Sequence, residues 1–174
     1  MSIINKITFL VFIILYNLTV ISSAEEIKKI GKFKDWETMV LVDQSGNVCF
    51  AQSAPVLQAP KSNPRDARLF VTFRPSENIS NEISITAGYE FNKNNSVTAA
   101  SGTDNFKFDI KAQGFAWIAD NKIENKMIGR MKKGSRIMVT GYNTKGSQTI
   151  DHYSLLGFTK AYNAAKTACS YKLW

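Results

Sequence analysis

The sequence has little of what most catalytic and metal sites require. It contains one histidine, His152, and two cysteines, Cys49 and Cys169. One histidine and two cysteines cannot supply the usual ligands of a zinc or copper centre. No G-x-S-x-G motif provides a nucleophilic serine, and no phosphate-binding glycine loop occurs. We therefore expect no metal, no cofactor and no enzymatic activity.

Neither the histidine nor the acidic residues form a recognisable site in the sequence. His152 follows Asp151 in a segment that alternates like a strand, and neighbouring strand residues face opposite sides of a sheet. Asp151 is therefore poorly placed to orient the imidazole, and we expect an ordinary hydrogen-bonded or exposed histidine. Asp104, Asp109 and the asparagine-rich segment 92–95 offer oxygen atoms, but they lack the spacing of a calcium loop and fit ordinary turns.

The first 24 residues have the pattern of a secretory signal peptide. Lys6 is their only charged residue, residues 7–21 are almost uniformly apolar, and small residues at 22–24 precede the expected cleavage before Glu25. The alternative is an uncleaved anchor, because the apolar run approaches the roughly 17 to 25 residues that cross a bilayer. Residues 25–174 are long enough for one domain with a single core.

Basic residues outnumber acidic residues along the chain. The formal net charge is +8, and without Lys6 the remainder keeps 21 Lys plus Arg against 14 Asp plus Glu. The closest approach to a basic cluster consists of Arg130, Lys132, Lys133 and Arg136. Such a surface attracts an anionic lipid or glycan of the envelope or of a host cell, although scattered charges also serve solubility. Export argues against nucleic acid as a partner, and the oligomeric state stays open.

The two cysteines lie in the part of the chain that would be exported. An oxidising compartment favours their pairing, and two cysteines allow one bridge. A Cys49–Cys169 bridge would join an early hairpin to the C-terminal end, with a stabilisation of roughly 4 to 5 kcal/mol in the chain-entropy model. The alternative, a redox or metal-binding pair, lacks the C-x-x-C spacing.

Apolar and polar residues alternate along most of the chain, and this period of two predicts strands. We expect strands at residues 36–42, 48–53, 68–74, 82–89, 96–100, 106–110, 115–118, 136–142 and 148–154. Residues 25–34 are expected to be a frayed lead-in. Residues 54–66, which hold three of the four prolines, are expected to be an irregular surface loop. Gly88 indicates a bulge or a close approach of the backbone.

Two segments change to a helical period. In residues 121–133 the apolar positions are Ile123, Met127, Ile128 and Met131, and in residues 156–168 they are Phe158, Ala161, Tyr162 and Ala165. The second helix would carry Cys169 to the first hairpin. The sequence therefore predicts a mainly β fold: an antiparallel β-sandwich or curled sheet with one or two covering helices, including a C-terminal helix.

Several segments in order resemble the invasion-associated locus B proteins, a family of exported alphaproteobacterial proteins. The segments are 33–36 (FKDW), 48–53 (VCFAQS), 63–66 (NPRD), 70–75 (FVTFRP), 131–134 (MKKG) and 153–161 (YSLLGFTKA). The resemblance implies a periplasmic, outer-surface or secreted protein, linked in some members to host-cell entry, with no established enzymatic activity. Many members have more cysteines, so the single expected bridge is a departure.

We weigh two functions at this point. The first is a non-enzymatic interaction protein that binds an envelope or host-surface component through the basic cluster or through residues 54–66. The second is a periplasmic carbohydrate-active hydrolase whose two carboxylates are brought together only by the fold. A cleft holding two carboxylates about 5 to 10 Å apart would favour the hydrolase.

Overall fold

The computed structural model describes residues 26–43 and 46–170. The expected signal peptide and residues 44 and 45 of the turn after the first predicted strand lie outside the described residues. Within them the chain forms two open antiparallel sheets and two helices. The predicted mainly β fold with a C-terminal helix is confirmed.

The larger sheet has seven strands within the described residues. In spatial order they are β1 (Glu26–Phe33), β2 (Trp36–Asp43), β3 (Gly46–Ser53), β5 (Arg68–Arg74), β6 (Ile79–Thr86), β10 (Phe115–Trp117) and β9 (Ile110–Ala112). Alternation along each strand divides the residues between two faces. The inner face is apolar and includes Val40, Leu69, Val71 and Ile85, all buried.

The smaller sheet packs against that inner face. In spatial order its described strands are β4 (Leu57–Ala59), β12 (Gln148–Ser154), β11 (Arg136–Tyr142), β7 (Val97–Ser101) and β8 (Asp104–Phe108). Val97, Phe108, Ile137 and Tyr153 supply its buried side chains. The bounds of β11 and β12 coincide with the predicted strands, because each strand has strict alternation and a clear turn between them.

The two helices also lie on the inner side of the larger sheet. Helix α1 (Asn121–Lys133) begins at the capping side chain of Asp120, which accepts a hydrogen bond from the backbone N–H of Lys122. Helix α2 (Phe158–Ser170) packs Phe158 against Trp36 of β2, with ring centroids 4.8 Å apart. The predicted apolar stripe of α2 is confirmed, since all four of its residues are buried.

The predicted disulfide between Cys49 and Cys169 is confirmed. It joins β3 to the last turn of α2 across 120 residues of chain. A second contact nearby is buried: the Thr38 hydroxyl of β2 donates to the Ala161 carbonyl at 2.9 Å. The bridge therefore secures a helix that also packs on the sheet.

Two predictions about the early chain are wrong. The expected lead-in at 25–34 is strand β1, which pairs with β2 from Glu26 to Phe33. The sequence of β1 is charged and lacks the apolar alternation that predicts a buried strand. An edge strand needs little burial, and charges protect its free edge. The expected loop at 54–66 contains β4, whose Leu57 lies opposite His152 of β12. That pairing is long-range and leaves no local pattern.

Two details of the middle region also differ from the prediction. The single strand expected at 106–110 is divided, because β8 ends at Phe108 in the smaller sheet and β9 begins at Ile110 in the larger sheet. In α1 the predicted core residue Ile123 is exposed, and its neighbour Glu124 is buried instead. The expected close approach at Gly88 is confirmed, since a Cβ there would lie 2.9 Å from the Asp66 nitrogen.

Candidate functional site

One end of the sandwich brings four chain segments together, and we call it the Leu156 end. Leu156 follows β12, and its carbonyl accepts a hydrogen bond from the Asp35 N–H in the β1–β2 turn at 3.3 Å. The Leu155 N–H donates to Ser135, just before β11, at 3.0 Å. The Val56 N–H, just before β4, donates to His152 at 2.8 Å. These backbone bonds hold the four segments side by side.

Three aliphatic side chains are exposed at this end, and we call them the apolar tip. Val56 is 59% exposed, Leu57 42% and Leu156 64%. The Leu156 segment is tightly placed, because Gly157 has φ +91° and a Cβ on it would overlap the Phe33 carbonyl oxygen. Only glycine fits this close approach. The tip is therefore a fixed apolar surface.

Four exposed cations lie on the segments that carry or adjoin the apolar tip, and we call them the basic rim. They are Lys34, Lys133, Arg136 and Lys160. Arg136 lies opposite Ser154, two residues before Leu156, in the β11–β12 pair. None of the four has an ion-pair partner within residues 26–43 and 46–170. The rim thus keeps its charge available.

The predicted basic cluster is divided between paired and free cations. Arg130 binds Asp104 at 2.6 Å, and Lys132 stacks over the Tyr162 ring with its ammonium 3.9 Å from the centroid. Partial burial and the nearby Lys166 lower the pKa of Lys132. Lys133 and Arg136 remain free, and both belong to the basic rim. The sequence pattern missed the apolar tip and the two distant lysines, because chain folding alone brings them together.

A buried ion pair anchors the segment that carries the apolar tip. Arg65 forms a two-pronged pair with Asp151 of β12, with Nη2···Oδ1 at 2.8 Å and Nη1···Oδ2 at 3.1 Å. The amide of Gln58 donates to the same carboxylate at 3.2 Å, and the guanidinium lies 5.7 Å from the Tyr89 ring centroid. Both charged side chains are almost fully buried. This network fixes β4 and residues 60–65 against the smaller sheet.

His152 and Asp151 face opposite sides of β12, as the alternation predicts. Asp151 is buried with Arg65, whereas His152 is half-buried on the outer face. The His152 Nδ1 atom is enclosed and has no hydrogen-bond partner within the described part of the chain. Among the residues that the structure describes, no acid orients this histidine as a hydrolytic triad requires.

The asparagine-rich turn at residues 92–95 binds the side-chain ammonium of a lysine of the same chain. The ammonium of Lys111 donates to the carbonyls of Asn92, Lys93 and Asn95, each at 2.8 Å. Among the described residues, no group of three His, Cys, Asp or Glu side chains converges where a metal ion could be held. The oxygen atoms of this turn thus have a structural task.

A cleft of about 660 Å³ lies where β6 separates from β10, beside the start of α1. Trp117 and Ile110 form part of its wall, and Arg74, Glu82 and Glu124 contribute charged groups. Glu82 is paired with Arg74 at 2.7 Å. Glu124 accepts hydrogen bonds from the Ile83 N–H at 2.7 Å and from the Asn121 amide at 3.2 Å.

The two carboxylates of this cleft differ in environment. Burial raises the pKa of Glu124, and the negative charges of Glu82 and Asp120 raise it further. Its hydrogen bond to Ile83 satisfies a backbone donor on the part of β6 that β10 leaves unpaired. Sequence spacing could not single out this pair, because the acids come from a strand and a helix 42 residues apart.

The fold defines a disulfide-linked β-sandwich with two covering helices. The family model for the Invasion associated locus B (IalB) protein matches residues 36–166, and the chain belongs to this family. No curated protein and no solved structure matches the chain significantly. Family membership and the intramolecular disulfide indicate a protein that works outside the cytoplasm. Neither described helix has the length and hydropathy that a membrane crossing requires.

Proposed function

We propose that this protein acts in the periplasm or after secretion as a non-enzymatic binding protein for anionic membrane surfaces. The observation that carries the proposal is the Leu156 end, where the apolar tip adjoins the four unpaired cations of the basic rim. An exposed apolar group surrounded by cations suits the boundary between lipid headgroups and acyl chains. Membership of the family is consistent with action at a cell surface.

The two parts of the site contribute in different ways. Each lysine or arginine near an anionic surface contributes about 1 kcal/mol, and this attraction fades within a Debye length of roughly 8 Å at physiological salt. Each buried methylene of the apolar tip adds about 0.8 kcal/mol. Cations alone would bind an anionic glycan equally well. The three exposed aliphatic side chains are the reason to favour a lipid bilayer.

The proposal is tested with the oxidised protein and lipid vesicles. We expect sedimentation with vesicles that contain phosphatidylglycerol and not with vesicles of phosphatidylcholine alone. Lys133→Ala combined with Arg136→Ala removes two cations and should weaken binding by roughly 30-fold. Leu156→Asn should also weaken binding, although it leaves the charge unchanged.

The control variant removes two exposed lysines that lie away from the Leu156 end. Lys122 lies in the first turn of α1, and Lys145 lies in the β11–β12 turn, at the other end of this hairpin from Arg136 and Ser154. Lys122→Ala with Lys145→Ala should therefore bind like the wild type. If both double variants lose the same vesicle affinity, binding depends on the overall charge of the protein and not on the basic rim. If Leu156→Asn leaves binding unchanged while Lys133→Ala with Arg136→Ala weakens it, the result would point to a soluble anionic glycan instead of a bilayer.

A second candidate function is hydrolysis of a glycan in the cleft that holds Glu82 and Glu124. The observation in its favour is the raised pKa of the Glu124 carboxyl in a cleft that also holds the Glu82 carboxylate. Glycosidases use such a difference in pKa to give one carboxyl the role of acid and the other the role of base or nucleophile. Mass spectrometry of oligosaccharides incubated with the protein tests it. Shortened products that disappear in Glu124→Gln would support hydrolysis, and unchanged oligosaccharides would exclude it for those substrates.

A further inference from the structure

The outer face of the larger sheet carries a continuous row of aromatic side chains. Phe50 of β3 meets Phe70 of β5 with ring centroids 6.0 Å apart, and Phe70 meets Phe115 of β10 at 6.1 Å. Phe115 stacks on Trp117 at 5.7 Å. All four side chains are half-buried, and the helices and the smaller sheet contact the opposite face. The row is therefore open to solvent along the sheet.

Polar side chains flank the aromatic row. Strand register places Ser84 between Phe70 and Trp117, and places Gln52 beside Phe70 on the other side. Thr86 lies opposite Phe115. The half-buried Gln52 and Thr86 thus place hydrogen-bonding groups beside the rings, which suits a ligand that is itself apolar on its faces and polar at its edges.

The row ends in the cleft of about 660 Å³ that Trp117 lines. This volume lies within the range of small-ligand pockets. The indole N–H of Trp117 has no hydrogen-bond partner within the described residues, and Ser80 and Asn78 add exposed polar side chains to the wall. The cleft thus combines a flat aromatic wall with several groups that can bind hydroxyls.

Arg74, the arginine that lines the cleft, is already paired with carboxylates. Arg74 contacts Glu82 at 2.7 Å and Glu77 at 3.2 Å, so its positive charge is already compensated. This environment offers no excess of positive charge for an anionic ligand, in contrast to the basic rim.

We infer that the cleft and the aromatic row form a binding site for a neutral glycan chain. One sugar ring would lie against Trp117 in the cleft, and the following units would extend over Phe115 and Phe70. The C–H faces of sugar rings would pack on the aromatic rings, while their hydroxyls would bind the exposed side chains of Asn78 and Ser80. This site is separate from the Leu156 end and does not depend on membrane binding.

The test uses the oxidised protein and three soluble tetrasaccharides: cellotetraose, maltotetraose and tetra-N-acetylchitotetraose. Calorimetric titration should detect binding of at least one of them. The same tetrasaccharide should quench or shift the tryptophan fluorescence of the protein. Trp117→Ala should weaken that binding at least tenfold, whereas Trp117→Phe should retain most of it. Phe70→Ala should weaken a tetrasaccharide more than a disaccharide of the same linkage, because only the longer chain reaches it.

Tyr142→Ala is the matched control, since Tyr142 is a half-buried aromatic residue of the smaller sheet. It should bind the tetrasaccharide like the wild type. Thermal unfolding of each variant checks that the fold is intact. Absence of binding to all three probes, or equal binding by wild type and a folded Trp117→Ala variant, would overturn the inference. Neither result would change the expected binding to vesicles.

Discussion

The buried Arg65–Asp151 pair gives the sharpest prediction about stability. Arg65 lies in the connection between β4 and β5, and Asp151 lies in β12, so the pair ties this connection to the smaller sheet. The side chains are 4% and 2% exposed. Arg65→Ala would leave the Asp151 carboxylate buried, with the Gln58 amide as its one remaining side-chain partner among the described residues. An uncompensated buried charge is strongly unfavourable.

The expected loss is large for a domain of this size. Removing one partner of a buried ion pair costs about 3 to 5 kcal/mol. Since each kcal/mol shifts the melting temperature of a domain of roughly 150 residues by about 2 to 4 °C, we expect a decrease of about 6 to 20 °C. Urea denaturation of the oxidised protein measures the free energy directly, and thermal unfolding measures the shift.

The neighbouring pair of Arg68 and Asp66 provides the control. It has the same chemistry and a 2.7 Å contact, but its side chains are 36% and 81% exposed. Arg68→Ala should cost no more than about 1 kcal/mol, because water screens the pair. Replacing Arg65 and Asp151 together by Met and Leu should cost less than Arg65→Ala alone. If Arg65→Ala costs no more than Arg68→Ala, the assigned role of the buried pair is wrong.

Three further predictions concern stability. Reducing the Cys49–Cys169 bridge should lower the free energy of unfolding by about 4 to 5 kcal/mol, and an unchanged urea midpoint would contradict this. Folding raises the pKa of Glu124, so its contribution to the free energy of unfolding is present at low pH. This contribution is lost as the pH rises through the raised pKa. Glu124→Gln should therefore become more stable relative to the wild type as the pH rises from acidic to neutral. Parallel curves of unfolding free energy against pH for the two proteins would refute this. Gly157→Ala should cost at least about 2 kcal/mol in urea denaturation, more than Gly102→Ala, which meets no atom within 4 Å.

Most of the fold could be predicted because its strongest signals are local. Strands β11 and β12 alternate strictly, and the bounds of α1 coincide with its predicted segment. The elements that were missed are held by distant parts of the chain. Strand β1 is charged and exposed, and it becomes a strand only by pairing with β2. Strand β4 is three residues long and pairs with β12, about 90 residues later.

The candidate site could be predicted only in part for the same reason. Lys133 and Arg136 are near each other in sequence, so composition revealed them. Lys34 and Leu156 meet through the Asp35–Leu156 backbone contact, which no local pattern encodes. The buried Glu124 was also missed, because a helical period predicts an apolar residue on the inner face. Its partner, the unpaired Ile83 N–H, exists only in the folded sheet.

The most direct test of the account is a fluorescence measurement at the apolar tip. An environment-sensitive fluorophore is attached to Leu156→Cys, with the native disulfide intact, and to Lys145→Cys as the comparison at the opposite end. On vesicles containing phosphatidylglycerol, the label at position 156 should shift to shorter wavelength while the label at position 145 should not. Equal shifts at both positions, or none at position 156 while the protein is bound, would contradict docking through the Leu156 end.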